Sequence, residues 1–132
     1  MAWSRHAAAA AIAAVLEQMA VPPAGPPPAV FATPPETFNP PAYVCGVVRR
    51  LDYDTPTFGV EGAEFRLFVS AGPNDYDGLD AMCAAARAAL AVDPSLAGQV
   101  ISCRVANQEN WRRLAIAGAD TLTADVILEI RM

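Results

Sequence analysis

Nine of the twelve prolines lie between residues 22 and 41. No helix can pass through Pro22-Pro23-Ala24-Gly25-Pro26-Pro27-Pro28, because each ring removes a backbone donor and clashes with the turn before it. The stretch is expected to run extended, as a rigid loop in polyproline conformation. No Arg or Lys flanks the prolines, so an SH3-ligand role is disfavoured. The loop splits the 132 residues into a segment that must finish before Pro22 and a longer remainder that starts near Ala42. That length fits one domain, 1–132, with a Pro-rich loop at 22–41, and can bury a core without metals or disulfides.

Before the prolines, residues 4–20 read as a helix. Ser4 suits the N-cap, and Ala8, Ile12, Val15, Leu16 and Met19 share one stripe. After Ala29–Ala32, a short edge strand, the pattern changes to period two. Residues 42–51 carry apolar groups on both faces (Tyr43, Cys45 and Val47 against Val44 and Val48), as a central strand does. Residues 52–61 read as a connecting loop with solvated acids. In 63–70, Phe65, Leu67 and Val69 alternate with Glu64, Arg66 and Ser70, while Phe68 places an aromatic on the polar face.

A second helix is expected over 76–92, capped by Asn74 or Asp75, with Leu79, Met82, Cys83, Ala86 and Leu90 as its buried stripe. Residues 99–106 read as a strand, and 107–119 as a loop with a short apolar strand or turn. In 121–131, Leu122, Ala124, Val126, Leu128 and Ile130 alternate with Thr121, Thr123, Asp125, Glu129 and Arg131, with Ile127 the exception. A strand so regular can sit at a sheet edge and extend the sheet across subunits. The fold class is α+β, a mostly antiparallel β-sheet with two main helices packed on it. Strands 63–70 and 99–106, joined through a helix, are either parallel neighbours or separated by another strand.

Chemistry is sparse. His6 is the single histidine and sits near a terminus, so neither a Ser–His–acid triad nor a zinc site is expected. The glycines form no phosphate-cradling loop, and no G-x-S-x-G, H-E-x-x-H or Walker A sequence occurs. Asp75, Asp77 and Asp80 are explained by helix capping. No enzyme, cofactor or metal is expected. Cys45, Cys83 and Cys103 lie in apolar segments and read as buried thiols in a reducing compartment. Fourteen acidic residues against nine arginines and no lysine leave a net charge of −5, the opposite of a nucleic-acid-binding balance. The apolar runs are too short to cross a membrane and the Ala-rich start is a poor signal peptide, so a cytosolic product is expected. Hydrophobic residues make up 54% and charged residues only 17%, a composition that suits a surface covered by partners.

Several phrases, in order, resemble the tail terminator (tail completion) proteins of long-tailed, actinobacteriophage-like bacteriophages. They are Pro34-Pro35-Glu36-Thr37-Phe38-Asn39-Pro40-Pro41-Ala42 after an Ala-rich helix; Asp52-Tyr53-Asp54-Thr55-Pro56-Thr57-Phe58; the turn Pro73-Asn74-Asp75; Ala89-Leu90 with Asp93-Pro94-Ser95-Leu96-Ala97-Gly98-Gln99-Val100; Arg104-Val105; and Ile116-Ala117-Gly118 before a closing alternating strand. The likeness spans nearly the whole chain. Residues 107–113, Asn-Gln-Glu-Asn-Trp-Arg-Arg, depart from the family pattern.

The resemblance implies a structural virion protein, located at the head-proximal tail end and in host cytoplasm during assembly. Such a protein forms a hexameric ring on the last disc of the tail tube, stops polymerisation and offers a surface to the head-side connector or adaptor. The genomic DNA passes through the lumen without sequence-specific binding. Six copies at −5 each would carry −30, which would keep DNA passage slippery. Strand polarity nominates Glu61, Glu64, Asp125 and Glu129 as lumen acids. Pro34, Pro35, Phe38, Asn39, Pro40, Phe58, Phe68, Trp111 and Arg112 are the candidate contacts with the tube protein, the connector or a second copy. The alternatives are a head closure or head–tail adaptor protein of the neck, and a small cytosolic enzyme or binding domain.

Overall fold

A computed structural model describes residues 5–18, 29–36, 41–54, 59–72, 74–96, 98, 100, 102–116 and 119–131. The element order is α1 (Arg5–Glu17), β1 (Ala29–Phe31), β2 (Ala42–Asp54), β3 (Gly59–Ala71), α2 (Tyr76–Val92), β4 (Ser102–Ile116) and β5 (Ala119–Arg131). The five strands form one sheet in the order β1-β2-β3-β5-β4. Every pairing is antiparallel except β1 on β2. The fold is therefore α+β, a mostly antiparallel sheet with both main helices packed on it. Strands β3 and β4 are separated by β5, which resolves the two arrangements the sequence left open.

The core lies between the helices and one sheet face. Ile12 and Leu16 from α1, and Leu79, Met82, Cys83, Ala86 and Leu90 from α2, meet Tyr43, Cys45, Phe65, Leu67, Val69 and the even-numbered residues 122–130. These are the stripes that the two periodicities place on one side of each element. Ala8 and Ala9 let α1 approach closely. Ser4 and Met19 lie outside the described residues. Asp75 caps α2, its carboxylate accepting from the Gly78 amide at 3.0 Å. The Tyr43 hydroxyl donates to the Met82 carbonyl at 2.7 Å, tying β2 to the middle of α2. Burial raises the Tyr43 phenol well above its ordinary range. All three cysteines are free and buried, and burial pushes Cys45 and Cys103 up to about 12 and Cys83 to about 11.

Three expectations need correction. First, the loop expected over 52–61 is mostly strand. Tyr53 pairs with Val60 and Asp54 with Gly59, so only 55–58 separate β2 from β3. Second, 107–116 is not a loop but the second half of β4. Its alternation is broken by irregularities between Val105 and Asn107 and between Glu109 and Arg112, which hides the strand from a period-two reading. Third, β5 is not an edge strand. It pairs with β3 from Leu122 to Arg131 and with β4 along nearly its whole length. Thr121, Thr123 and Asp125, on the face opposite the apolar stripe, are each fully buried.

The register also shows where the sheet projects. Gly62 pairs with both Asp52 and Arg131, so the β2–β3 hairpin continues beyond the end of β5. At the opposite end, Leu122 pairs with both Ala71 and Arg113, and the β4–β5 hairpin continues to the Ile116–Ala119 pair. Each projection is about three residues per strand, or about 10 Å.

At Gly46, β2 lies close against β3. A Cβ there would sit 2.7 Å from the Arg66 carbonyl oxygen, a backbone atom that cannot swing away. Gly46→Ala is expected to lower the unfolding free energy by about 2 kcal/mol, measured by urea denaturation, and an unchanged midpoint would contradict this packing. The thiols give a second check. Their raised values mean the folded state favours the neutral thiol. Stability from this source is full below the ordinary thiol value near 9 and is lost as pH climbs toward 12. Native protein at pH 8 should therefore react with a thiol reagent only at its unfolding rate.

Candidate interaction surface

On the face of the sheet away from the helices, charged residues converge on β5. Asp125 is fully buried, directly across from Phe68 on β3 and Glu109 on β4. One of its oxygens, Oδ2, lies 3.1 Å from the Arg66 guanidinium and 3.7 Å from that of Arg112. The same oxygen accepts from Asn110 Nδ2 at 2.9 Å. Arg66 also reaches Glu109 at 3.7 Å. The Arg112 guanidinium lies over the Phe68 ring, 5.7 Å from its centroid, a cation–π arrangement. These long side chains cover the strand centre, which explains how Asp125, Thr123 and Ile127 are buried on a face without helices.

The cluster sits on the second irregularity of β4. Asn110 has a φ of +59°, in the left-handed region. Asn110 and Arg112, on either side of Trp111, both contact Asp125, and Arg112 also donates back to the Asn110 carbonyl at 3.0 Å. The Thr123 and Thr121 hydroxyls donate to the carbonyls of Arg112 and Leu114, at 3.2 and 3.1 Å. The extra residue of the bulge moves Trp111 to the helix side of the strand. There it is 52% exposed. It lines an open depression of about 380 Å³ with Arg87 of α2 and Val105, Ala106, Asn107 and Gln108 of β4. Arg113, also on this side, donates to Asn74 Oδ1 at 2.8 Å and fastens β4 to the turn before α2.

The candidate residues fall into separate groups. Phe68 and Arg112 stack on the outer face, and Trp111 lies across β4 from them. Pro34 is exposed and Pro35 half-buried, beyond β1 at the far edge of the sheet. Phe38, Asn39, Pro40 and Phe58 lie outside the described residues. Of the four acids that strand polarity nominated for a lumen, Asp125 is corrected: it is fully buried between two arginines and offers no open charge. Glu129 is paired with Arg104. Glu64 is half-buried directly across from Glu129, and Glu61 has only its strand position described. Sequence reading missed Arg66, Asn110 and Arg87. The one signal for Asn110 was the polar run 107–110 inside an otherwise strand-forming stretch.

Among the described residues no group of three or more His, Cys, Asp or Glu side chains is placed to hold a metal ion. No helix among them is long and apolar enough to cross a membrane.

Removing the two carboxylates separates buried from exposed pairing. Asp125→Ala leaves Arg66 and Arg112 without their shared acceptor and frees the bulge. It is expected to cost about 2–3 kcal/mol, discounted because both arginines are partly exposed. Glu129→Ala breaks a surface pair and should cost under about 1 kcal/mol. Equal losses in parallel urea titrations would contradict a structural role for Asp125. No protein-family model matches the chain, and no curated protein matches its sequence.

Proposed function

We propose that the chain is a structural virion protein that caps a phage tail tube as a ring and provides the surface for head–tail joining. The ordered phrases at 34–42, 52–58, 73–75, 89–100 and 116–118 suggest this reading. The observation that carries it is the asymmetry of the sheet. Strand β1 covers only the first three residues of β2, and β4 presents 15 residues at the other edge with no further strand on it among the described residues. Two hairpins project at opposite ends of the same sheet, and their sequences differ. A cap needs that inequality: one end recognises the tube, and the other end must not template another tube ring.

The unlike edges fit the same reading. Contacts between two different surfaces of identical chains are head-to-tail, and they close into rings when the rotation closes. On the outer face Arg66, Arg112 and Arg104 are paired with Asp125, Glu109 and Glu129, which suits a lumen wall that holds phosphate weakly. In this reading the net charge of −5 per copy, rather than any one of the nominated acids, keeps DNA from adhering. No bond is made or broken.

The test is genetic and visual. The gene is disrupted in the phage or prophage that carries it, and the induced lysate is imaged by negative-stain electron microscopy. Overlong or irregular tails detached from heads are the expected result. Tails of normal length beside filled, tailless heads would overturn termination and assign the chain to the neck as an adaptor. Intact, normally joined virions would overturn both roles.

A further inference from the structure

Helix α2 buries one side against the sheet and exposes the opposite side along its whole length. Asp77, Ala84 and Ala91 recur at heptad spacing down the middle of that exposed side. Asp80 and Arg87 lie on one flank of it, and Ala81 and Ala88 on the other. Both charged groups of the flank are exposed, and neither makes an ion pair among the described residues. The large hydrophobic side chains that stand exposed among the described residues border the same helix. Tyr76, 61% exposed, and Val92, 85% exposed, sit at its two ends, and Trp111 shares the depression that Arg87 lines. Apolar groups gathered on one exposed face mark a contact surface.

We infer that the exposed side of α2 docks antiparallel on α2 of a second copy, with Asp80 of each chain against Arg87 of the other. The occupant is committed by the order of the charges. A two-fold axis level with Ala84 runs the helices in opposite directions and keeps each flank on its own side. Asp80 lies four positions before Ala84 and Arg87 three after it. The axis therefore brings the two to within about one residue, or about 1.5 Å, of the same level, and it does so twice. Parallel helices would instead set Asp80 against Asp80 and Arg87 against Arg87. The middle of the face carries Ala84 and Ala91, small enough for the axes to approach to about 8 Å. Tyr76 of the second copy arrives on the flank of Arg87, where Trp111 stands. Exposed Tyr, Trp and Arg are the types most often found at the energetic centre of a protein interface.

This contact stands apart from the ring reading. Ring neighbours meet head-to-tail, whereas a two-fold contact uses the same patch on both chains and closes at two copies. Helix α2 has 17 residues and is about 25 Å long. One such helix from each chain makes an interface at the small end of the specific range, so the dissociation constant is expected to be micromolar.

The experiment uses the purified full-length chain in sedimentation equilibrium at low and high salt. The wild type should reach twice the mass of one chain, at higher concentration in high salt because opposite charges meet. Asp80→Arg and Arg87→Asp each set like charges face to face at both pairs, and each should raise the dissociation constant about tenfold or more. An equimolar mixture of the two should regain the dimer, because every cation again faces an acid. The double variant Asp80→Arg/Arg87→Asp should dimerise by itself for the same reason. Glu36→Arg makes the same change of charge as Asp80→Arg at an exposed site beyond β1, and should leave the dimer as it is. Circular dichroism confirms that each variant is folded. Wild-type protein that stays monomeric up to about 1 mM, single variants that associate as wild type does, or a folded mixture and double variant that both stay monomeric would overturn the contact. A larger assembly that the α2 variants leave intact would overturn α2 as the joining surface. The gene-disruption phenotype decides the ring reading separately, so a failed contact and a failed ring are distinguishable.

Discussion

The pairing of the buried Asp125 carboxylate is the interaction on which the outer face of the sheet depends. The carboxylate lies on the central strand, out of water, and a buried charge is tolerated only when paired and hydrogen-bonded. Arg66 supplies the pairing from β3, and Arg112 and Asn110 supply it from β4. One residue on β5 thus sets the register of both neighbours at the same level. It also fixes the bulge of β4, with Asn110 in the left-handed region and Trp111 displaced to the helix side. If this anchor is lost, the outer face loses its cover and the depression loses its aromatic wall.

The rest of the fold is supported from the other face by ordinary burial. The Ala-rich α1 and the broader stripe of α2 sit on the apolar positions of β2, β3 and β5. The Tyr43 hydroxyl, spending its donor on a helix carbonyl, is the polar fastener between the layers. Gly46 and Gly78 serve close approach, one of strand to strand and one of helix start to its capping carboxylate. The sheet thus has a dry apolar face and a face where polarity is buried by pairing. Charge is unequally placed along it, with the acidic hairpin at one end and the arginine-bearing strand at the other edge.

Helices were legible because their stripes are three and four apart and their stops are prolines. Strand 63–70 was legible because its alternation is nearly unbroken, and the fold class followed from the order of the elements. Strand β4 was not legible past Ala106. Its bulges put Gln108 and Trp111 on one side though they are three apart, and a period-two reading sees a loop there. The place of β5 was missed for a different reason. Alternation marks a half-exposed strand, but Thr121, Thr123 and Asp125 are covered by side chains from neighbouring strands that no local pattern reveals. For the same reason Asp125 read as an open acid. Of the residues around Asp125 and the β4 depression, Trp111 and Arg112 were visible as an aromatic beside a cation. Arg66 and Arg87 were not, because only the sheet order brings them to β4.

The proposed role makes this chain a built-in part of a tail, at its head-proximal end. The most direct measurement locates it there: gold-labelled antibody raised against the purified chain, applied to intact particles and to tails released from heads. The account predicts label at one end of each released tail, the end that had joined the head, and none along the tube. Label along the whole tube, at the distal tip, or on no particle at all would contradict it.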